Sequence, residues 1–500
     1  MQTEKRVLIC NLPGPVLKSG SRWYNYSKGG SATLRYYPYP WFLGYATSLL
    51  KSHGFQSKLR DYVALEFDFK EALNDLKNFN PTHIVFDTAW SSRELDIAFL
   101  NSLPKEIVKI AVGNYATNFP NEAIDLIGAD IAIYREFEFS LLEYLKTDQI
   151  QQNFITSNKR EFKSPILEKD LDKFPFPERI DTPFEYFNEP SCYGKNIVMI
   201  TSRGCRLDCS FCNIGFMYGG RGHRVRSAKN IVDEMEYLKS NFTFDEIYFD
   251  DDNIVSDKHT IDSMCNEIIN RKLNIKYCAM GDGFVKNDTL ELLARSGCAT
   301  YKWGAEHLDN EILKLIPKPY KGERQIELIH KIRSLGMKSY MNLIIGLPGS
   351  TREKDIKMMK DVIEASPDLL QLAIAIPYPG TRFFNEAIEK GWLVSNSSKD
   401  YDVTGSTPIS YPNYSNEEIK DTFYHCWRMW YKHIALKKPK TLYFFLSSEI
   451  KRNGYFNTFI KSYKYVEKII FKKKYNVIPY ENSVPNKLLK EAQAKVSRYN

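Results

Sequence analysis

The sequence predicts an α/β protein with several domains: two successive repeats of strand and helix, followed by a mainly helical C-terminal region. Three observations support this fold class. Short apolar runs alternate with longer amphipathic stretches over residues 1–150 and again over residues 196–395, as in parallel βα units. Residues 151–195 lose this periodicity and contain five prolines, which is typical of an extended linker. Residues 396–500 have a helical pattern rich in aromatic side chains.

Composition and charge restrict the class of protein further. With 500 residues, 43% of them hydrophobic, the chain is long enough for more than one folded core. Residues 437–500 contain 15 Lys and Arg against 4 Glu, so the positive net charge of +8 comes from the C-terminal tail. The remainder of the chain is not basic, which argues against a nucleic-acid-binding surface there. The nine cysteines are odd in number and scattered, and neither a signal-peptide pattern nor a membrane-spanning apolar run is present. We therefore expect a cytoplasmic protein.

The first repeat predicts a doubly wound, Rossmann-like sheet. Its predicted strands are 6–12, 58–62, 83–87, 108–112 and 130–134. Ligands bind such sheets at the carboxyl ends of the strands, which here are 13–15, 88–91, 113–114 and 136. No G-x-G-x-x-G follows the first strand, which argues against a nicotinamide dinucleotide.

Three cysteines dominate the start of the second repeat. Cys205, Cys209 and Cys212 follow the apolar run of residues 196–201, so they lie on the loop that leaves a predicted strand. Thiolates suit iron-sulfur clusters and zinc, and both normally take four protein ligands, but no fourth Cys or His stands at ordinary spacing. A cubane held by three thiolates leaves one iron free for a small molecule. The alternatives are a group of core cysteines and a zinc knuckle, although polar residues between the cysteines favour a loop.

This cysteine spacing, with Phe211 directly before the last cysteine, resembles the signature of the radical S-adenosylmethionine (SAM) superfamily. The resemblance implies a [4Fe-4S] cluster held by the three cysteines, SAM bound to its open iron, and a 5′-deoxyadenosyl radical formed from SAM by one electron. It also implies that residues 196–395 form a partial (βα)6 TIM-like barrel.

The ends of the later strands in this repeat resemble the SAM-contacting strands of the superfamily. Three aspartates after the strand at 246–249 suit the methionine ammonium, a glutamate suits a ribose hydroxyl, and a Gly-Leu-Pro-Gly loop lets backbone approach adenine. The ordinary alternatives are a helix N-terminus for the aspartates and a turn for the loop. The predicted SAM-contacting residues are Phe211, Asp251, Asp252, Glu306, Gly346, Pro348 and Pro379.

An open α/β domain before such a motif resembles the cobalamin-binding domain of cobalamin-dependent radical SAM enzymes. The predicted cobalamin-contacting residues are Pro13, Arg22, Trp41, Thr88, Ser91, Gly113, Asn114 and Glu136. The D-x-H-x-x-G motif of many corrinoid proteins is missing, so no protein histidine is assigned to the lower cobalt face. The alternative is a domain that binds nothing, since fold does not imply function.

The resemblance implies an enzyme that methylates an unactivated carbon of a small-molecule or lipid substrate, with cobalamin carrying the methyl group and the deoxyadenosyl radical removing substrate hydrogen. It also implies a reductant protein of the flavodoxin or ferredoxin type. The rival hypotheses are a radical SAM enzyme that catalyses oxidative cyclisation or rearrangement without methyl transfer, and a non-catalytic corrinoid or iron-sulfur binding protein. No nucleic-acid partner and no acid or base catalyst is predicted.

The C-terminal region carries two features. Tyr424, Trp427, Trp430 and Tyr431 form a helical stripe that is more typical of a core than of a ligand site, and we expect it over the mouth of the barrel. Residues 460–474 mix aromatic side chains with six lysines, which predicts a solvated basic helix face or a peripheral contact with an anionic membrane.

Overall fold

The computed structural model describes residues 4–17, 26–27, 37–163, 167–395, 397, 400–401, 405–471 and 483–499, with side chains described except at 26–27, 453 and 460–471. The predicted cobalamin residue Arg22 lies outside these residues, as do the side chains of the predicted basic segment 460–474. Within the described residues, no helix combines the length and the hydropathy needed to cross a bilayer.

The N-terminal sheet has five parallel strands and one antiparallel edge strand. In spatial order they are Gln56–Asp61, Arg6–Asn11, His83–Asp87, Val108–Val112, Ile131–Ile133 and the antiparallel Phe154–Thr156. The first strand of the chain occupies the second position in the sheet. The next strand in the chain lies on one side of it and the later strands lie on the other, as in doubly wound sheets, so the predicted fold is confirmed. The strand Phe154–Thr156 extends this sheet into the segment predicted as a linker.

Both faces of the sheet are covered, which explains its continuous apolar runs. Val7 and Ile9 point into one core and Leu8 and Cys10 into another. The helices Trp41–Ser52 and Glu138–Thr147 cover the first face. The second face is covered by Phe69–Phe79, Arg93–Asn101, Gly113–Asn118, Pro120–Glu122, the π-helical turn Ala123–Ile127 and the C-terminal helix Asn486–Tyr499.

The second sheet is an open half-barrel of six parallel strands, each beside its neighbour in the chain, as predicted. They are Asn196–Met199, Glu246–Phe249, Lys276–Gly281, Cys298–Glu306, Lys338–Ile345 and Leu369–Ile374. The helices that follow them on the outside are Ala228–Asn241, Lys258–Asn270, Asn287–Ser296, Gly322–Ser334 and Arg352–Ala365. Shorter helices are Ile214–Met217, Asn310–Leu315 and Arg382–Glu389.

Strand alternation divides the barrel residues between two cores. Ile247 and Phe249 pack with the outer helices. Tyr248 and Cys278 face the other way and belong to the core that contains Trp41 of the first domain. The two α/β domains therefore share one hydrophobic core.

The helix Asn416–Lys437 packs on the outside of the barrel, against Arg352–Ala365 and the last strand. Trp430 is buried there, whereas Tyr424 is exposed. The expected position over the barrel mouth is wrong, because the apolar side of this helix matches the outer helix layer. The following helix, Pro439–Phe471, is interrupted at Gly454, whose φ of 75° and ψ of 168° are not helical.

Candidate active site

The three cysteines lie in a loop enclosed by a small antiparallel ribbon, Ser202–Gly204 with His223–Val225. All three thiols are free of disulfides and partly accessible. Burial raises the pKa of each thiol, to about 11 for Cys209. The protein without metal therefore holds protonated thiols at neutral pH.

The surroundings of these thiols fit a metal cluster. The Leu207 amide and the Asn253 side chain donate to the Cys205 sulfur at 3.5 Å and 3.7 Å. Such donors stabilise thiolates, the form that ligates iron. Among the described residues, no three His, Cys, Asp or Glu side chains already converge on a point that would hold a single ion. The fit to a cluster rests on the chemistry of three soft donors on one loop.

Asp251 and Asp252 anchor the segment before Cys205. The carboxylate of Asp251 is fully buried and accepts hydrogen bonds from the Thr201 amide at 3.0 Å, the Thr201 hydroxyl at 2.8 Å and the Ser202 hydroxyl at 2.5 Å. Asp252 accepts from the Gly204 amide at 2.8 Å. Burial raises the pKa of Asp251 to about 6. These contacts make Asp251 a positioning residue for the cysteine loop.

Glu306 lies at the end of its strand, beside the cysteines, and pairs with a lysine that sequence reasoning missed. The Lys318 ammonium is 2.9 Å from Glu306 Oε1 and donates to the Gly304 carbonyl at 3.1 Å. Burial alone would lower the pKa of Lys318, but the negative charges that Cys209 and Glu306 carry when ionised raise this pKa well above its usual range. A buried cation thus stands close to a cluster thiol. The only sequence signal for it is a lysine between two prolines in the loop after Glu306.

The loop Gly346-Leu347-Pro348-Gly349 is tied to the C-terminal region. Gly346 has a φ of 78°, its amide donates to Asp355 at 3.0 Å, and its carbonyl accepts from the Tyr411 hydroxyl at 2.9 Å. Both polar groups of Gly346 are therefore used inside the protein, while Pro348 lies further along the same loop. Pro379 precedes Gly380, where an added Cβ would lie 2.2 Å from Asn118 Oδ1 of the first domain.

The carboxyl edge of the first sheet lies against the cysteine loop. Asn213 Nδ2 donates to Asn114 Oδ1 at 2.8 Å. Glu136 accepts from Arg203 at 3.1 Å and from Arg224 at 2.8 Å. The structure thus brings two predicted cobalamin residues directly to the cysteine loop and the ribbon that encloses it. Asn213 and the two arginines were missed by sequence reasoning, because each partner lies far away in the chain.

Arg203 itself is buried between the domains. Its guanidinium lies 2.8 Å from Glu138 Oε1 and 5.4 Å from the centroid of the Trp41 ring. Trp41 is 2% exposed, so it is a core residue beneath Arg203.

The remaining predicted cobalamin residues follow three neighbouring strands. Pro13 is buried after the first strand. The Thr88 hydroxyl donates to the Asp96 carboxylate at 2.6 Å, and Ser91, three residues further along, is half-buried. Gly113 has a φ of 87°, and a Cβ there would lie 2.1 Å from the Asp87 carboxylate. Only glycine fits this close approach.

Two buried donors at this edge suit an amide-rich ligand. Trp90 Nε1 and Asn114 Nδ2 have no acceptor within the described part of the chain. Buried N–H groups normally have a partner. Cobalamin carries many carboxamide oxygens, so its periphery supplies the missing kind of acceptor.

A three-cysteine loop after the first strand of an open βα barrel defines the radical SAM class. Residues 199–362 match the family model described as the radical SAM superfamily. The predicted family is confirmed: this part of the chain is a radical SAM domain, a class that uses a [4Fe-4S] cluster and SAM, and the protein is a radical SAM enzyme.

Two relatives are named as methyltransferases. A Pyrococcus horikoshii protein described as an uncharacterized methyltransferase is 25% identical over 397 residues, covering 76% of this chain and 85% of the relative. The cytidylyl-2-hydroxyethylphosphonate methyltransferase of Streptomyces wedmorensis is 26% identical over 423 residues, covering 71% and 79%.

The fold is also that of a solved structure. The cobalamin-dependent SAM radical enzyme OxsB, with aqua-cobalamin and SAM bound, superposes with a TM-score of 0.65 at 13% identity, covering 99% of this chain and 81% of OxsB. This likeness confirms the arrangement of an N-terminal α/β sheet, a half-barrel and a helical C-terminal region.

Proposed function

We propose that the protein is a cobalamin-dependent radical SAM methyltransferase that acts on an unactivated carbon of a small-molecule or lipid substrate. The observation that carries the proposal is the hydrogen bond between Asn114 and Asn213, at 2.8 Å. This bond holds the carboxyl edge of the first sheet, where ligands bind in such folds, against the cysteine loop. Cobalamin at that edge and SAM at the cysteine loop would therefore lie next to each other. Relatives named as methyltransferases support the same outcome.

The residues of the chain have distinct roles in this proposal. The cluster and SAM would supply a deoxyadenosyl radical, and cobalamin would supply the methyl group. Cys205, Cys209 and Cys212 would hold the cluster, and Asp251 orients their loop. Asn114 and the Trp90 indole would bind cobalamin amides. The proposed SAM contacts are Phe211, Asp252, Glu306, Pro348 and Pro379. To Asp251 and Gly346, which the sequence also predicted as SAM contacts, we assign the holding of the cysteine loop and of the loop before Pro348.

The proposal includes an electron donor of the flavodoxin or ferredoxin type and a cytoplasmic location. All nine cysteines lie in the described part of the chain, and none forms a disulfide. Free cysteines are typical of a reducing compartment, where such donors act.

The test is anaerobic reconstitution with iron, sulfide and hydroxocobalamin, followed by assay of SAM products under a reductant. Stoichiometric cobalamin, with both S-adenosylhomocysteine and 5′-deoxyadenosine, supports the proposal. The matched variant Asn114→Ala should lose cobalamin but keep the cluster, whereas exposed Asn158→Ala should keep both. Deoxyadenosine without retained cobalamin would contradict methyl transfer, and a substrate that reacts without gaining a CH₂ unit would indicate cyclisation or rearrangement.

A further inference from the structure

The C-terminal strap, which we define as residues 436–459, exposes an unusual amount of apolar surface. The four most exposed large hydrophobic side chains in the described part of the chain, each at 72% or more, are Tyr443, Tyr455, Phe456 and Phe459. Three leucines of the strap are exposed by 39% or more: Leu436, Leu442 and Leu446. Scattered exposed apolar residues are ordinary, but a concentration of them marks an interaction site.

The opposite side of the strap is fixed to the barrel, so the exposure does not come from a detached helix. Thr441 donates to the Asp368 carbonyl at 3.3 Å, next to the last strand. Further along, Ser448 accepts from the Gly194 amide at 2.9 Å, just before the first strand. Phe444 is buried against the barrel. The strap therefore bridges the open side of the half-barrel and holds its aromatic side outward.

The charges on the strap are almost all positive. Its only acidic residue is Glu449, which is 14% exposed and pairs with Arg452 at 3.2 Å. Lys437 and Lys440 are exposed, and Lys451 is 48% exposed beside Asp245. The strap thus combines exposed aromatic rings with exposed lysines and carries no exposed carboxylate.

We propose that the C-terminal strap docks the protein on an anionic lipid surface, with its rings among the headgroups and its lysines on the phosphates. Amphipathic aromatic and basic side chains bind interfaces in this way, and each lysine near an anionic leaflet adds attraction. A second copy of the chain fits the strap less well, because like charges would meet and lysine is depleted at protein interfaces. This docking is independent of the proposed methyl transfer.

The experiment is co-sedimentation of the full-length protein at low salt with vesicles of phosphatidylcholine alone or mixed with phosphatidylglycerol. The test variants are the triple Tyr455→Ser, Phe456→Ser, Phe459→Ser and the double Lys437→Glu, Lys440→Glu. The matched control replaces three exposed apolar residues elsewhere: Ile180→Ser, Tyr186→Ser and Ile388→Ser. Circular dichroism verifies that each variant is folded.

We expect the wild type and the control to sediment with the anionic vesicles only. Each test variant should weaken binding by about tenfold, and added salt should release the protein. A wild type that stays in the supernatant with both vesicles, or a triple variant that binds fully, would overturn the proposal. So would a wild-type dimer, detected by size-exclusion chromatography, that the triple variant dissociates without any vesicle binding. Because no step needs cofactors, failure here leaves methyl transfer untouched.

Discussion

Asn213 Nδ2 donates to Asn114 Oδ1 at 2.8 Å, across 99 residues of sequence. Asn213 directly follows the last cluster cysteine, and Asn114 lies in the first turn of the helix Gly113–Asn118, which follows the strand Val108–Val112. One amide pair therefore sets the separation between the two proposed cofactor sites.

The two asparagines should be energetically coupled. We expect Asn213→Ala and Asn114→Ala each to lower the free energy of unfolding by about 1 kcal/mol, because a buried amide loses its partner. The double variant should be little worse than either single variant, with a coupling of about 1 kcal/mol in urea denaturation. If the two single-variant losses of unfolding free energy simply added in the double variant, the hydrogen bond between Asn114 and Asn213 would not couple the two domains.

The three loop cysteines should be needed together for metal. Cys205→Ala, Cys209→Ala and Cys212→Ala should each reduce iron and sulfide content after reconstitution to background, because two thiolates do not retain a cubane. Cys426→Ala, in the C-terminal helix, is the matched control and should keep the full content. A loop variant that retained wild-type iron would remove that cysteine from the site.

Lys318 and Glu306 should depend on each other. Lys318→Met leaves the Glu306 carboxylate buried without its cation, which we expect to cost about 3 kcal/mol of unfolding free energy. Adding Glu306→Gln should restore most of this loss, since no unpaired charge remains. Urea midpoints of the single and double variants measure both effects. If Lys318→Met left the free energy of unfolding unchanged, this result would show that water reaches Glu306.

Asp251 should make stability depend on pH. Its pKa is raised to about 6 by burial, so the folded protein binds this proton more tightly than the unfolded chain does. The contribution of the group to stability therefore increases as the pH falls through 6 towards about 4. Relative to Asp251→Asn, the wild type should gain about 1 kcal/mol between roughly pH 7.5 and pH 5. A urea-midpoint difference that stays constant with pH would contradict the buried titration.

Several features could be predicted from the sequence because they are local. The three-cysteine spacing, the two runs of alternating strand and helix and the carboxyl-end positions of Asn114 and Glu136 all depend on neighbours in the chain. The order of the barrel strands follows from the same pattern, since successive βα units lie side by side.

Only the tertiary structure decided which of these local pieces meet. Three contacts join residues on different elements: Asp251 holds the cysteine loop, Lys318 pairs with Glu306, and Arg203 pairs with Glu138 of the first domain. The helix Asn416–Lys437 took the outer layer instead of the barrel mouth, and the helix Asn486–Tyr499 returned to the first domain. Periodicity shows that a helix has an apolar side, but the surface that covers that side is set by shape and charge complementarity between distant segments.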